Sequence, residues 1–201
     1  LYPFEKISQE RNSSENECIE NIDIGGPTLL RGAAKNFKNV TVLCDPSQYK
    51  NFLKHVELNQ NTVSENFRHE CAKVAFEYTS YYESKISNWF NKNTNNFCSK
   101  KITLSYNKVA DLRYGENPHQ KASYFKLNEN QFSQVSGKEL SYNNIYDSEC
   151  AIELAQQFTE PSCVILKHGN PCGVAIDSKQ ENAYQKALEC DRTSAFGGIV
   201  A

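Results

Sequence analysis

The 201 residues contain no methionine, no CxxC pair and no large surplus of either charge. The chain starts at Leu1 and stops at Ala201 inside the apolar run GGIVA. A bare hydrophobic strand is an unusual end for a complete domain, because an unpaired apolar edge invites aggregation. Both ends are therefore expected to be cuts in a longer polypeptide. No apolar run approaches the roughly 18 residues that a membrane-spanning helix needs, and no signal peptide is visible. A formal net charge of -2 provides no field for holding a polyanion, so nucleic acid is not an implied partner.

What is present is ordinary for a soluble globular protein: 39% hydrophobic and 23% charged residues. The eight cysteines stand at 18, 44, 71, 98, 150, 163, 172 and 190. Several lie in apolar stretches such as VTVLC and SCVIL, where a thiol behaves as a small buried hydrophobe. That placement favours reduced cysteines and a cytoplasmic setting over a disulfide framework. The abundant asparagines, as in NKNTNN, suggest a base-composition bias in the gene and carry no chemistry.

Along the chain, helical and strand-like segments alternate, which predicts an α/β fold. Residues 27–36 form a helix opened by Pro27, 38–44 (KNVTVLC) a buried strand rich in β-branched residues, and Asp45-Pro46 starts a helix to about His55. The longest helical pattern covers 64–91, with Phe67, Cys71, Val74, Ala75, Tyr78, Tyr82, Ile86 and Trp89 at spacings of three and four, and Ser64 as its cap. The polar stretch NKNTNNFCSKK then marks a boundary near 93–111. Beyond it, LRYGENPHQ and KASYF lead through a loop to a helix over 146–158 begun by Asp147. SCVILK at 162–167 is a strand covered on both faces, followed by a helix at 180–190 and a last strand in GGIVA. No internal repeat is visible.

Three segments can carry chemistry. In KHGNPCG, residues 167–173, a buried strand runs straight into Lys167 and His168. A cation and a group that exchanges protons near neutral pH would thus stand at a strand's carboxyl end, where ligands bind in open α/β sheets. The competing reading is a surface loop with incidental polar residues. LRYGENPHQ, 112–120, packs Arg113, Tyr114, Glu116, Asn117 and His119 around two turn formers. Its arginine suits a phosphate or carboxylate, and the alternative is a turn joining two domains. In ENIDIGGPTLLRGAAK, 20–35, the pair Gly25-Gly26 before a helix lets the backbone approach a ligand, and the helix start suits an anion. It lacks the pattern of a nucleotide phosphate loop.

A zinc deaminase is excluded. His55 and Glu57 make an H-x-E and Pro171-Cys172 a P-C, but the second cysteine of the P-C-x-x-C pattern is replaced by Ala175. A four-coordinate site does not survive that loss without a substitute ligand. No metal site is expected.

Taken in order, YPFEK (2–6), NIDIGGPTLLRGAAKN (21–36), LRYGENPHQ (112–120), GKELSYNN (137–144), KHGNPCG (167–173) and CDRTSAFGGIVA (190–201) span essentially the whole chain. Together they resemble the bifunctional phosphoribosylaminoimidazolecarboxamide formyltransferase / IMP cyclohydrolase family in its bacterial-like form. The resemblance implies the C-terminal part of a methylglyoxal-synthase-like cyclohydrolase domain (1–100), a linker (101–111), and the start of a cytidine-deaminase-like transformylase domain (112–201) that uses no zinc.

It implies formyl transfer from 10-formyltetrahydrofolate to the ribotide AICAR, giving FAICAR, and ring closure of FAICAR to inosine monophosphate. Tyr2, Asp23 and Lys35 match the family's cyclohydrolase residues. Lys167 and His168 match its transferase pair, Arg113 and Tyr114 match residues at the ribotide, and His119 matches another active-site histidine, taken as substrate-binding. Asn170, in the same loop as the pair, and Gly25 and Gly26 are added as substrate-binding positions. The resemblance also implies a homodimer, a phosphate-site motif before Leu1 and folate contacts after Ala201, so the 201 residues alone are expected to be inactive. A small regulatory ligand-binding domain would account for residues 1–93 and leave LRYGENPHQ and KHGNPCG without purpose.

Overall fold

The computed structural model describes residues 1–92, 100–127 and 134–201. The expected linker segment 93–99, with Cys98, and residues 128–133 of the expected loop lie outside the described residues. The chain divides into two compact units, Leu1–Ser105 and Tyr106–Ala201.

In the first unit the regular elements among the described residues are helices: α1 (Phe4–Gln9), α2 (Glu15–Glu20), α3 (Gly25–Lys35), α4 (Gln48–Leu58) and α5 (Glu65–Lys92). The 28-residue α5 is the spine. Its Cys71, Ala72 and Ala75 pack against Ala34 and Val42, and Tyr82 closes a second cluster with Phe4 and Cys18. Phe4 is fully buried and meets Tyr82 and Trp89 edge-on, with ring centroids 6.4 and 5.9 Å away. Ser64 caps α5 as expected, its Oγ accepting the Phe67 N–H at 3.3 Å.

Two expectations for this unit are corrected. Helix α3 starts at Gly25, so Pro27 is its third residue and not its first. Residues 38–44 form no strand. Their β-branched composition is that of a strand, but a strand also needs a ladder partner, and the described residues of this unit supply none. Val42 is buried all the same. The Arg68 guanidinium holds the turn before it, donating to the carbonyls of Phe37 and Lys38 at 2.8 Å each and to that of Val63.

The second unit pairs β1 (Asn107–Leu112) with β2 (Ala122–Lys126), and places β3 (Ser162–Lys167) between β4 (Asn170–Ile176) and β5 (Ile199–Val200). It also holds α6 (Tyr142–Ala155), α7 (Gln180–Cys190) and the short α8 (Arg192–Ala195). Side chains alternate across β3 with period two. Val164 and Leu166 face Ala151 of α6, while Cys163 and Ile165 face Ala183 and Ala187 of α7. Burying Val164, Ile165 and Leu166 stabilises the unit by about 1.5–3 kcal/mol each, so β3 anchors whatever follows it.

Helix and strand mix as an α/β fold requires, but each of the three strand pairs is antiparallel. The segment after Lys167 is not a loop: it turns back at once into β4. The expected linker 101–111 overlaps β1. Helix α6 begins five residues earlier than Asp147, because Ser141 and Asn144 form a reciprocal capping box at Tyr142.

Candidate functional site

The hairpin β3–β4 turns on two residues, His168 and Gly169, with φ of 54° and 71°. Both lie in the left-handed region that tight two-residue hairpin turns use, which glycine and asparagine favour and which histidine enters more readily than most side chains. Two devices hold this turn. The buried Asp147 carboxylate, from the second turn of α6, accepts the His168 N–H at 3.2 Å and the Gly169 N–H at 2.8 Å. The Tyr146 ring lies against Gly169 so closely that a Cβ there would fall 2.8 Å from its Cε1.

Lys167, the last residue of β3, donates from Nζ to the Phe196 carbonyl at 2.8 Å. Asn170 donates from its side chain to the His168 carbonyl at 2.9 Å. Lys167, His168, Asn170, Pro171, Cys172, Asp191 and Ser194 line an open cleft of about 440 Å³. An ammonium, an imidazole and an amide on one cleft can stabilise an oxyanion, accept a proton and orient an amide. Cys172 lies on β4, and Ala175, paired with Cys163, offers no thiolate. Among the described residues no group of His, Cys, Asp and Glu is arranged to hold a metal ion.

LRYGENPHQ approaches the same helix. The Tyr114 carbonyl accepts the Tyr142 N–H at 3.2 Å, and the Glu116 carbonyl accepts from the Asn143 side chain at 3.3 Å. Helix α6 therefore carries this motif at its first turn and the Lys167–His168 hairpin at its second. Arg113 lies over the Tyr114 ring, 4.8 Å from the centroid, and donates to its hydroxyl at 3.2 Å. Gly115 is buried against Gln120, whose Cβ would stand 2.9 Å from an added Cβ. His119 is exposed beside that turn.

The first unit gathers a second set. Asp23 Oδ1 accepts the Gly26 N–H at 2.7 Å, and Oδ2 accepts the Tyr2 N–H at 3.2 Å. The Tyr82 hydroxyl accepts the Asp23 N–H at 2.8 Å and donates to the Asn21 carbonyl at 3.2 Å. Burial, and secondarily the Asp23 charge, raises the Tyr82 pKa although the Asp23 N–H opposes this. The anion at the start of α3 is thus the chain's own carboxylate, and the space beside Gly26 is filled by Asp23 and Leu1. Gly25, by contrast, has open space around it. Lys35 ends the 11-residue α3, about 15 Å along the axis from its start. Tyr2 and Asp23 are brought together, whereas Lys35 meets only a ligand that lies along the helix.

His55 belongs to neither set. Its ring stacks on Phe67 with centroids 4.5 Å apart, and Nε2 bonds the Ser64 hydroxyl at 3.0 Å. Sequence reasoning missed Asp147, Tyr146 and Tyr82 as members of these sites. Asp147 was visible only as a helix starter, and the two tyrosines only as residues of helical segments.

The family model for the AICARFT/IMPCHase bienzyme matches residues 33–201. The chain belongs to this family. Over its whole length it is 47% identical to the bifunctional purine biosynthesis protein PurH of Caldicellulosiruptor saccharolyticus and 46% identical to that of a Thermoanaerobacter strain. Identity to PurH of Buchnera aphidicola is 44%, again over the whole chain. The chain spans 41%, 40% and 41% of these relatives' lengths. Both Lys35 and the Lys167–His168 hairpin fall inside the stretch matched to the bienzyme, while Tyr2 and Asp23 precede it.

Proposed function

We propose that this chain belongs to a bifunctional enzyme of purine synthesis and supplies parts of two active sites. The observation that carries the reading is the hairpin turn that presents Lys167 and His168 on one open cleft. Leu1–Ser105 belongs to the methylglyoxal-synthase-like cyclohydrolase domain, and Tyr106–Ala201 begins the cytidine-deaminase-like transformylase domain.

In formyl transfer, the AICAR amine attacks the formyl carbon of 10-formyltetrahydrofolate. That amine is a poor nucleophile, because its lone pair is delocalised into the imidazole and carboxamide. His168 accepts its proton, and the Lys167 ammonium stabilises the oxyanion formed on the formyl carbon. The carbon–N10 bond then breaks, the proton is returned to N10, and FAICAR and tetrahydrofolate leave. Asn170 orients the carboxamide, while Arg113, Tyr114 and His119 hold the ribotide.

In ring closure, the FAICAR amide nitrogen attacks its own formyl carbon and water is lost. Asp23 holds the carboxamide N–H in the attacking orientation, Lys35 and Tyr2 stabilise charge at the formyl oxygen, and the open backbone at Gly25 faces the substrate, while Gly26, filled in by Asp23 and Leu1, acts by holding the Asp23 carboxylate. The hydrogen bond from the Tyr2 main-chain N–H to the Asp23 carboxylate at 3.2 Å supports placing the two residues in one site. The complete protein is read as a cytoplasmic homodimer acting on small molecules, with no nucleic acid, no membrane and no zinc involved.

The test is made on the complete protein with the two reactions assayed separately. His168→Ala should lower formyl transfer by about 10²–10⁴-fold while supplied FAICAR is still closed. Lys35→Ala should do the reverse. Loss of both reactions in either variant, or of neither, overturns the assignment.

A further inference from the structure

We infer that Asp147 is a positioning residue for formyl transfer, fixing His168 and Gly169 through their main-chain N–H groups. This rests on the assignment of Lys167 and His168 given above.

The turn departs from what its surroundings would dictate. A two-residue turn at a surface normally gives its N–H groups to water and uses asparagine or glycine. Here the first position is His168, a non-glycine residue held at φ of 54° in the left-handed region. Both N–H groups are taken by the carboxylate of Asp147, a residue only 8% exposed. Burying a charge is costly unless hydrogen bonds compensate, and two charge-assisted bonds at 2.8 and 3.2 Å provide that compensation. Costly arrangements of this kind persist where they place a functional group.

The bonds run to the main chain and not to the imidazole. Asp147 therefore sets where the backbone that bears the ring stands. Its neighbour Tyr146 closes the other side against Gly169. With the Lys167 ammonium held separately by the Phe196 carbonyl, the cation and the backbone that carries the ring are each anchored at the cleft. Reactions that depend on such placement lose about 10²-fold when a group moves by roughly 1 Å.

The experiment uses the complete protein with formyl transfer and cyclisation measured separately. Asp147→Ala should lower the kcat of transfer about 10²-fold with little change in KM and with cyclisation intact. Asp147→Asn retains one acceptor oxygen and should fall between the two. On a His168→Ala background, Asp147→Ala should add no further loss, because it acts through the residue already removed. Losses that multiply in the double variant, or an unchanged kcat in Asp147→Ala, overturn the inference. If Asp147→Ala does not fold, the isosteric Asp147→Asn carries the same cycle. Full transfer by His168→Ala would instead overturn the Lys167–His168 assignment, and this inference with it. Loss in His168→Ala beside full activity in Asp147→Ala overturns the inference alone.

Discussion

The hydroxyl of Tyr82 accepts the main-chain N–H of Asp23 at 2.8 Å, tying α5 to the turn that leads into α3 across 59 positions of sequence. The same hydroxyl donates to the Asn21 carbonyl, so one side chain fixes both ends of the turn that presents the Asp23 carboxylate.

Removing that hydroxyl should therefore be felt twice. Tyr82→Phe leaves the Asp23 N–H without its acceptor in a part-buried place, which costs about 1–3 kcal/mol. The complete protein should show a lowered Tm for the cyclohydrolase part and slower closure of FAICAR, with formyl transfer unaffected. Unaltered cyclisation in the variant would mean that Asp23 is placed by its other contacts alone.

Alkaline pH should weaken the fold through thiols that are buried, as Cys71 and Cys163 are, or half-buried, as Cys44 is. Desolvation by burial is the first cause raising the pKa of Cys44, Cys71 and Cys163 above the ordinary thiol value of 9.0. The protonated thiol is thus favoured in the folded state. Its contribution is complete below the unfolded value and is lost as pH rises through the folded one. Tm measured across that range should decline, and Cys163→Ala should make the decline shallower. An equal slope in the variant would contradict this assignment.

At the acid end the sign is opposite. The Lys186 ammonium, 2.6 Å from Asp177, is the first cause holding that carboxyl well below the usual range, followed by the Lys179 N–H and the Asn182 amide. A depressed carboxyl contributes stability above its unfolded value of 3.8, and this is lost as pH falls. Asp177→Asn should flatten the acid limb of a Tm-versus-pH curve and loosen the start of α7, read by hydrogen exchange at residues 179–183. An acid limb unchanged in shape would assign the loss to other carboxylates.

Where local pattern and tertiary structure agree, the sequence was sufficient. Helix α5 and strand β3 could be placed within a residue or two because their apolar periods match the faces they bury. The strand expected at 38–44 failed because β-branched composition does not supply a ladder partner. Asp147 was misread because aspartate is a common helix starter, and its actual partners lie 21 and 22 positions away. The hairpin at Lys167 was hidden by its turn, since His-Gly is not the Asn-Gly signal that announces such turns. Both site failures share a cause. The residues that present Lys167 and His168 break local preference and are sustained by a contact that no local window contains.

Gly173 separates packing from chemistry within the same motif. A Cβ at this position would lie 1.9 Å from the Ala187 carbonyl oxygen and 2.8 Å from its carbon, both backbone atoms of α7. Neither can swing aside as a flexible side chain would, so Gly173→Ala must push α7 away from β4. Overpacking of this kind costs about 1–3 kcal/mol, and the variant should melt at a lower temperature and lose protection along α7. Gly32, inside α3 with open space around its Cα, is the contrasting position. Gly32→Ala should stabilise by roughly 0.4–1 kcal/mol through lowered chain entropy in the unfolded state. Equal shifts in the two variants would show that the close approach of α7 to β4 at Gly173 does not govern its stability.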